Sequence, residues 1–180
     1  MARVAAATGV PYHQPMTGID DLSLFQRILL ATDGTVTDLL ALYTGEAIRV
    51  TKLEQSVMTG RARAELQHPE PARLLQRRIL LSGAKQNYLY ADSQFLFERF
   101  SAWMQQQLLE TDRPIGLLWK EARLETFREV IAQGVEPDGA IAQHFGLPAT
   151  EPFVARTYLV HHGGRPLGAI TEKWPSSWFR

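Results

Sequence analysis

Arg77 lies inside the apolar run Leu74-Leu75-Gln76-Arg77-Arg78-Ile79-Leu80-Leu81, and Glu172 inside Leu167-Gly168-Ala169-Ile170-Thr171-Glu172-Lys173-Trp174. Both runs have the composition of strands that face a core. A charge in such a strand carries a desolvation cost of several kcal/mol unless something pairs with it. Two of them, one of each sign, point to a buried polar ligand. A guanidinium suits a small carboxylate, because its planar fork makes two parallel, charge-assisted hydrogen bonds. A glutamate in apolar surroundings is expected to donate a proton or to hold a hydroxyl. Alternation leaves the choice of arginine open: Arg77 shares strand parity with Leu75, Ile79 and Leu81, and Arg78 shares it with Leu74 and Leu80. Arg156 and Tyr158 share a face of a further strand, where they either help to form the pocket or answer an acidic residue across strands.

Other chemistries are poorly provided for. His161 and His162 are adjacent and so point to opposite faces of a strand, while His13, His68 and His144 are scattered, so no metal site is expected. The absence of cysteine removes disulfides and thiolate zinc sites. The serines lack a strand-turn-helix elbow and a histidine partner. There is no nicotinamide or phosphate-binding motif, and no cofactor is expected. Of the tryptophans, Trp119 and Trp174 are candidates to wall an aromatic pocket, and Trp103 and Trp178 are read as packing residues.

These side chains need elements to position them. A leader over residues 1–19 precedes a short amphipathic helix with Leu22, Phe25, Ile28 and Leu29 on one face, opened by Ser23 and Gln26 as a capping box. Asp33-Gly34 turns the chain into a second helix, from Thr35 to a stop at Gly45. A strand with two different faces follows over 48–53, then a polar connector from Gly60 to Pro71. Leu74–Ser82 and Tyr88–Phe95 read as an antiparallel hairpin. Leu96–Leu109 has helical spacing, Pro114-Ile115-Gly116 interrupts it, and Glu121–Ala132 is predicted to be helical, with Arg123 and Glu125 on a solvated face. A small helix over Asp138–Phe145 precedes a last hairpin, Val154–His161 with Leu167–Trp174, turned at Gly163-Gly164. Hairpins with helices between them favour an α+β fold with one antiparallel sheet and helices on one face, in a single domain spanning 1–180.

The run Arg77-Arg78-Ile79-Leu80-Leu81, then Pro114-Ile115-Gly116, Arg156-Thr157-Tyr158, Gly163-Gly164-Arg165-Pro166 and Thr171-Glu172-Lys173-Trp174-Pro175 occur in the order found in the chorismate pyruvate-lyase superfamily. The chain resembles its actinobacterial and cyanobacterial 4-hydroxybenzoate synthases from about Leu24 to Phe179, including Ile28-Leu29-Leu30-Ala31-Thr32-Asp33-Gly34-Thr35. The resemblance implies an antiparallel sheet with helices closing over a buried ligand. It also implies that Arg77 binds the ring carboxylate, that Glu172 contacts the ring hydroxyl, and that Ile115 belongs to a flap. Lys52, in Arg49-Val50-Thr51-Lys52-Leu53, stands where the enterobacterial lyases have an apolar residue whose backbone touches ligand, so it is a further candidate for substrate binding.

Conversion of chorismate to 4-hydroxybenzoate and pyruvate is an elimination driven by aromatisation. A protein must then supply a fixed conformation, protection from water and polar groups where charge develops, with no cofactor. Composition fits that expectation. Nineteen basic and nineteen acidic side chains in 180 residues give a net charge of zero, which offers nothing to nucleic acid or membranes. The apolar run in Met1–Pro15 is too short for a signal peptide, so a cytoplasmic protein is expected. Two other readings remain: a noncatalytic acid-sensing domain of the same fold, as in transcription regulators that carry an N-terminal winged helix, and a lyase acting on a related cyclic acid.

Overall fold

The computed structural model describes residues 21–111, 113 and 115–180; the whole leader over 1–19, and Pro114, lie outside the described residues. Helix α1 (Leu24–Ala31) opens on the expected capping box. The Ser23 amide donates to Gln26 Oε1 at 2.9 Å, and the Gln26 amide donates to Ser23 Oγ at 3.2 Å. The Gln26 side chain is itself buried, and its Nε2 donates to the carbonyls of Ser176 at 2.8 Å and Trp178 at 2.7 Å. Ser23 Oγ donates to the Phe179 carbonyl. Helix α2 (Val36–Thr44) stops at Gly45, whose φ of 69° is the left-handed conformation that glycine adopts without strain.

Among the described residues six strands, β1 (Arg49–Gly60), β2 (Ala72–Ser82), β3 (Asn87–Leu96), β4 (Phe127–Pro137), β5 (Pro152–His162) and β6 (Arg165–Pro175), pair antiparallel in the order β1-β2-β3-β6-β5-β4. β1 (Arg49–Gly60) runs well beyond the six alternating residues, because a bulge between Lys52 and Glu54 breaks the period of two while pairing continues. β2 (Ala72–Ser82) and β3 (Asn87–Leu96) form the predicted hairpin. The helix expected from Leu96 is divided: a 3-10 turn at Phe97–Arg99 buries Phe97, and α3 (Ala102–Glu110) then starts on Ser101, whose Oγ accepts from the Met104 amide at 3.3 Å.

The predicted helix over Glu121–Ala132 does not form. α4 (Ile115–Glu121) ends where the Leu124 amide donates to the Trp119 carbonyl at 2.9 Å and Arg123 takes a φ of 47°. The chain then enters β4 (Phe127–Pro137), the edge strand beside β5 (Pro152–His162). Sheet pairing has overridden the helix-forming composition, and Arg123 and Glu125 lie in the connecting loop. Asp138 caps the short α5 (Gly139–Ala142), accepting from the Ile141 amide at 3.2 Å. β5 and β6 (Arg165–Pro175) are joined through Gly163 and Gly164, at φ 57° and 73°.

Helices α1 to α4 cover one face of the sheet, where Leu29, Leu30, Leu40, Met104, Leu108 and Leu118 pack on Leu75, Leu81, Phe95 and Val160. The reverse face is not bare. Leu66 covers Leu74 and Leu96, and α5 brings Ile141 and Ala142 against Leu80 and Tyr90. β2 therefore buries apolar side chains on both sides. Among the described residues no helix is long and apolar enough to cross a membrane.

One contact fixes the middle of the sheet under the helices. Phe95 lies so close over Gly168 that an added Cβ would come within 2.1 Å of the ring and 2.7 Å of the Gln94 carbonyl. Gly168→Ala is expected to lower stability by about 1–3 kcal/mol, the usual cost of overpacking, seen as a fall in the denaturant midpoint. An unchanged midpoint would mean that Phe95 re-seats freely.

Candidate functional site

A cavity of about 270 Å³ lies between the helix-covered face of the sheet and the cover formed by α2 and α4. It is near the small end of ligand pockets and mostly apolar, with a few charged groups. Cross-strand register explains how the charges come together. Arg77 on β2 stands opposite Ser93 on β3, which stands opposite Ile170 on β6; in the next row Ile79 faces Ala91, which faces Glu172. Arg77 and Glu172 thus lie on strands either side of β3, in adjacent rows. Between them β3 presents only Ala91 and Ser93 on this face, and these small side chains leave the space open.

Arg77 is 3% exposed and lines the cavity. Its carbonyl accepts from Ser93 Oγ at 3.3 Å. Arg78 points to the reverse face, 2.9 Å from Glu54 and 3.9 Å from Asp92, and is half exposed. The structure thus separates the two arginines that alternation left equivalent, with Arg77 on the cavity side.

Glu172 also lines the cavity, but its surroundings differ from the apolar ones expected. Arg156, directly opposite on β5, donates from Nε to Glu172 Oε2 at 2.8 Å, and Tyr158 donates its hydroxyl to Oε1 at 3.0 Å. Arg156 is 1% exposed; its Nη1 donates to the Thr32 carbonyl at 2.6 Å, and its guanidinium lies 5.0 Å from the Tyr158 ring. Burial, and then the charge of Glu172, push the Tyr158 phenol far above its ordinary pKa, so it remains a hydrogen-bond donor throughout the neutral range. Both oxygens of Glu172 therefore already accept a hydrogen bond, which is the geometry of a carboxylate held in place as an acceptor.

The cover closes over this floor. Ile115 lines the cavity together with Gly116, Leu117 and Trp119 of α4. Trp119 Nε1 is buried with no hydrogen-bond partner among the described residues, an exception to the rule that buried donors are satisfied. Trp174, the other candidate wall, is fully buried and does not line the cavity. Lys52 does not line it either. It registers with Ile79, but β1 is an edge strand that bulges just after Lys52, and the cavity is bounded on that side by Ile48 and Val50. His161 and His162 lie apart from it, with His161 Nε2 2.9 Å from Glu129 Oε2 and His162 Nδ1 2.9 Å from the Glu125 carbonyl.

Two further features escaped the sequence reading. Lys120 and Asp38, 3.1 Å apart, form an ion pair at the cavity wall. Arg128 reaches the cavity from β4, the strand read as helix. The β-branched pair Val130-Ile131, with Gly134-Val135 and Pro137 soon after, was the available sign of a strand there.

The family model described as chorismate pyruvate-lyase Rv2949c-like matches residues 30–180. A chorismate pyruvate-lyase of Mycobacterium tuberculosis is 30% identical over 161 residues, covering 86% of this chain and 81% of the relative. The Mycobacterium leprae protein of the same name is 31% identical over 160 residues, covering 86% and 75%. Among solved structures, the effector domain of PhnF from Mycobacterium smegmatis superposes with a TM-score of 0.63 at 14% identity, over 81% of this chain and 90% of that one. The ligand-binding domain of a GntR-family regulator from Bordetella bronchiseptica gives 0.53 at 17% identity, over 71% and 84%. These two structures share the fold.

Proposed function

The chain belongs to the Rv2949c-like chorismate pyruvate-lyase family, and from that premise we propose that it converts chorismate to 4-hydroxybenzoate and pyruvate in the cavity under α2 and α4. The observation that carries this reading is the pairing of functions on one floor: a buried arginine on one side of a small-residue strand and a carboxylate fixed by Arg156 and Tyr158 on the other. Arg77 anchors the ring carboxylate, Glu172 accepts a hydrogen bond from the ring hydroxyl, and Ile115 and Trp119 press on the ring.

In the reaction the ether C–O bond to the ring breaks, the neighbouring ring C–H is lost, and the ring becomes aromatic. The three-carbon fragment leaves as the enol of pyruvate and ketonises. Most of the driving force resides in the substrate. The protein holds the reactive conformation and excludes water. Because both Glu172 oxygens already accept hydrogen bonds, Glu172 serves better to orient the hydroxyl than to protonate the ether oxygen. Nothing in this scheme asks for a cofactor.

Incubation of the purified protein with chorismate, following pyruvate release and the rise in aromatic absorbance, tests the proposal. Both signals should appear together in equal amounts. Binding of 4-hydroxybenzoate without pyruvate release would defeat the lyase reading and favour acid sensing; the solved neighbours that share the fold are named as a ligand-binding domain and an effector domain. An inert chorismate beside a reactive related cyclic acid would keep the chemistry and change the substrate.

A further inference from the structure

We propose, building on the lyase reading, that Arg128 is the recognition residue for a second carboxylate, so that the cavity selects a dianionic ring acid over a monoanionic benzoate. The route by which Arg128 arrives there is structural. It stands opposite Val160 on the helix-covered side of β5, and a bulge between Val130 and Ala132 resets the alternation of β4. As a result Gln133, five positions later, serves the same side, donating to the Leu30 carbonyl at 2.9 Å.

Arg128 is aimed but only partly used. Its Nη1 donates to the carbonyls of Asp33 and Gly34, in the turn between α1 and α2, which fixes the plane of the guanidinium. The guanidinium lies 5.7 Å from the Tyr158 ring. Among the described residues its Nε is buried with no hydrogen-bond partner, and Nη2 donates to none of them. Around the cavity the acidic groups are otherwise answered: Glu172 by Arg156, and Asp38 by Lys120. Arg128 faces no carboxylate among the described residues. Nε and Nη2 are the edge of the fork that takes a carboxylate side-on, and a ligand carboxylate there would satisfy both. Arg77 anchors the acid on the ring; Arg128, across the sheet on the far strand, receives the acid on the departing side arm.

Calorimetric titration with 4-hydroxybenzoate and with its 3-carboxymethoxy derivative, which adds a second carboxylate on an ether arm, tests this directly. The protein should prefer the dicarboxylate. Arg128→Gln should lose roughly 10- to 100-fold in affinity for it, the usual worth of a hydrogen bond to a charged group, with 4-hydroxybenzoate binding unchanged. Arg77→Ala should weaken both ligands. If Arg128→Gln fails to fold, Arg128→Lys, which keeps the charge and loses the fork, should retain 4-hydroxybenzoate binding and lose part of the preference. Equal weakening of both ligands would make Arg128 a structural clamp only, and an unaltered preference, or none in the wild type, would also overturn the proposal. Binding alone is read, so a protein that released no pyruvate from chorismate would lose the lyase reading while this preference could still be measured.

Discussion

Arg77→Ala is expected to cut kcat/KM for chorismate by roughly two orders of magnitude or more, most of it through KM, because truncating one member of a buried, hydrogen-bonded charge pair costs about 2–5 kcal/mol. The contrast with its neighbour makes the expectation sharp. Arg78→Ala removes a half-exposed pair with Glu54, on the face away from the cavity, and such pairs contribute about 0–1 kcal/mol. Steady-state kinetics on the two variants should therefore differ by far more than their positions in the sequence suggest. Arg77→Lys should recover little, since an ammonium keeps the charge but not the planar fork. Equal kinetics for Arg77→Ala and Arg78→Ala would remove the carboxylate anchor from the proposal.

The second large effect concerns Arg156. Arg156→Ala strips Glu172 of its cation while leaving the carboxylate in a 1%-exposed neighbour's former shelter, and breaking a buried pair from one side costs about 3–5 kcal/mol. A fall of that size should be visible in denaturant unfolding, with turnover lost as well. Replacing both partners, Arg156→Met with Glu172→Gln, should cost less than the single change, because no charge is then left without an answer. Additive losses across the cycle of single and double variants would show that the two side chains do not act as a unit.

The architecture was legible where local and global signals agreed. Ser23 and Gln26 predicted the start of α1, Gly45 the end of α2, and Gly163-Gly164 the last hairpin, because each is set by chemistry within a few residues. Alternation made Arg77 legible as an anomaly but not as a choice, and the choice over Arg78 came from the ordered motifs. β2 lies inside the sheet with Leu75 and Leu81 buried on one face and Leu74 and Leu80 on the other, so alternation had no polar side to read. β4 failed for the opposite reason. As an edge strand it leaves Phe127, Val130, Ile131 and Val135 exposed, and with no buried side to mark a period, its helix-forming residues dominated the reading. Arg128 was lost with it. The shelter of Glu172 by Arg156 and Tyr158 required the register of β5 on β6, which no single segment contains. Lys52 was placed at the cavity by the resemblance, and it is not among the residues that line it.

The fastening of α1 bears on how the molecule is made. Gln26 is held by the carbonyls of Ser176 and Trp178, about 150 positions away, and the same helix leads to the Thr32 carbonyl that holds Arg156. During synthesis α1 emerges before the strands it packs on, whereas its partners at 176–179 emerge after β6. Contacts of such separation close only when the intervening chain is available, and they form late. A nascent chain stopped at the end of β6 has every strand and both cavity arginines, but nothing to seat Gln26. Completion of the ligand chamber is thus timed to the arrival of Ser176, Trp178 and Phe179, and a ribosome-bound chain should acquire ligand affinity in one step once they are free to pair.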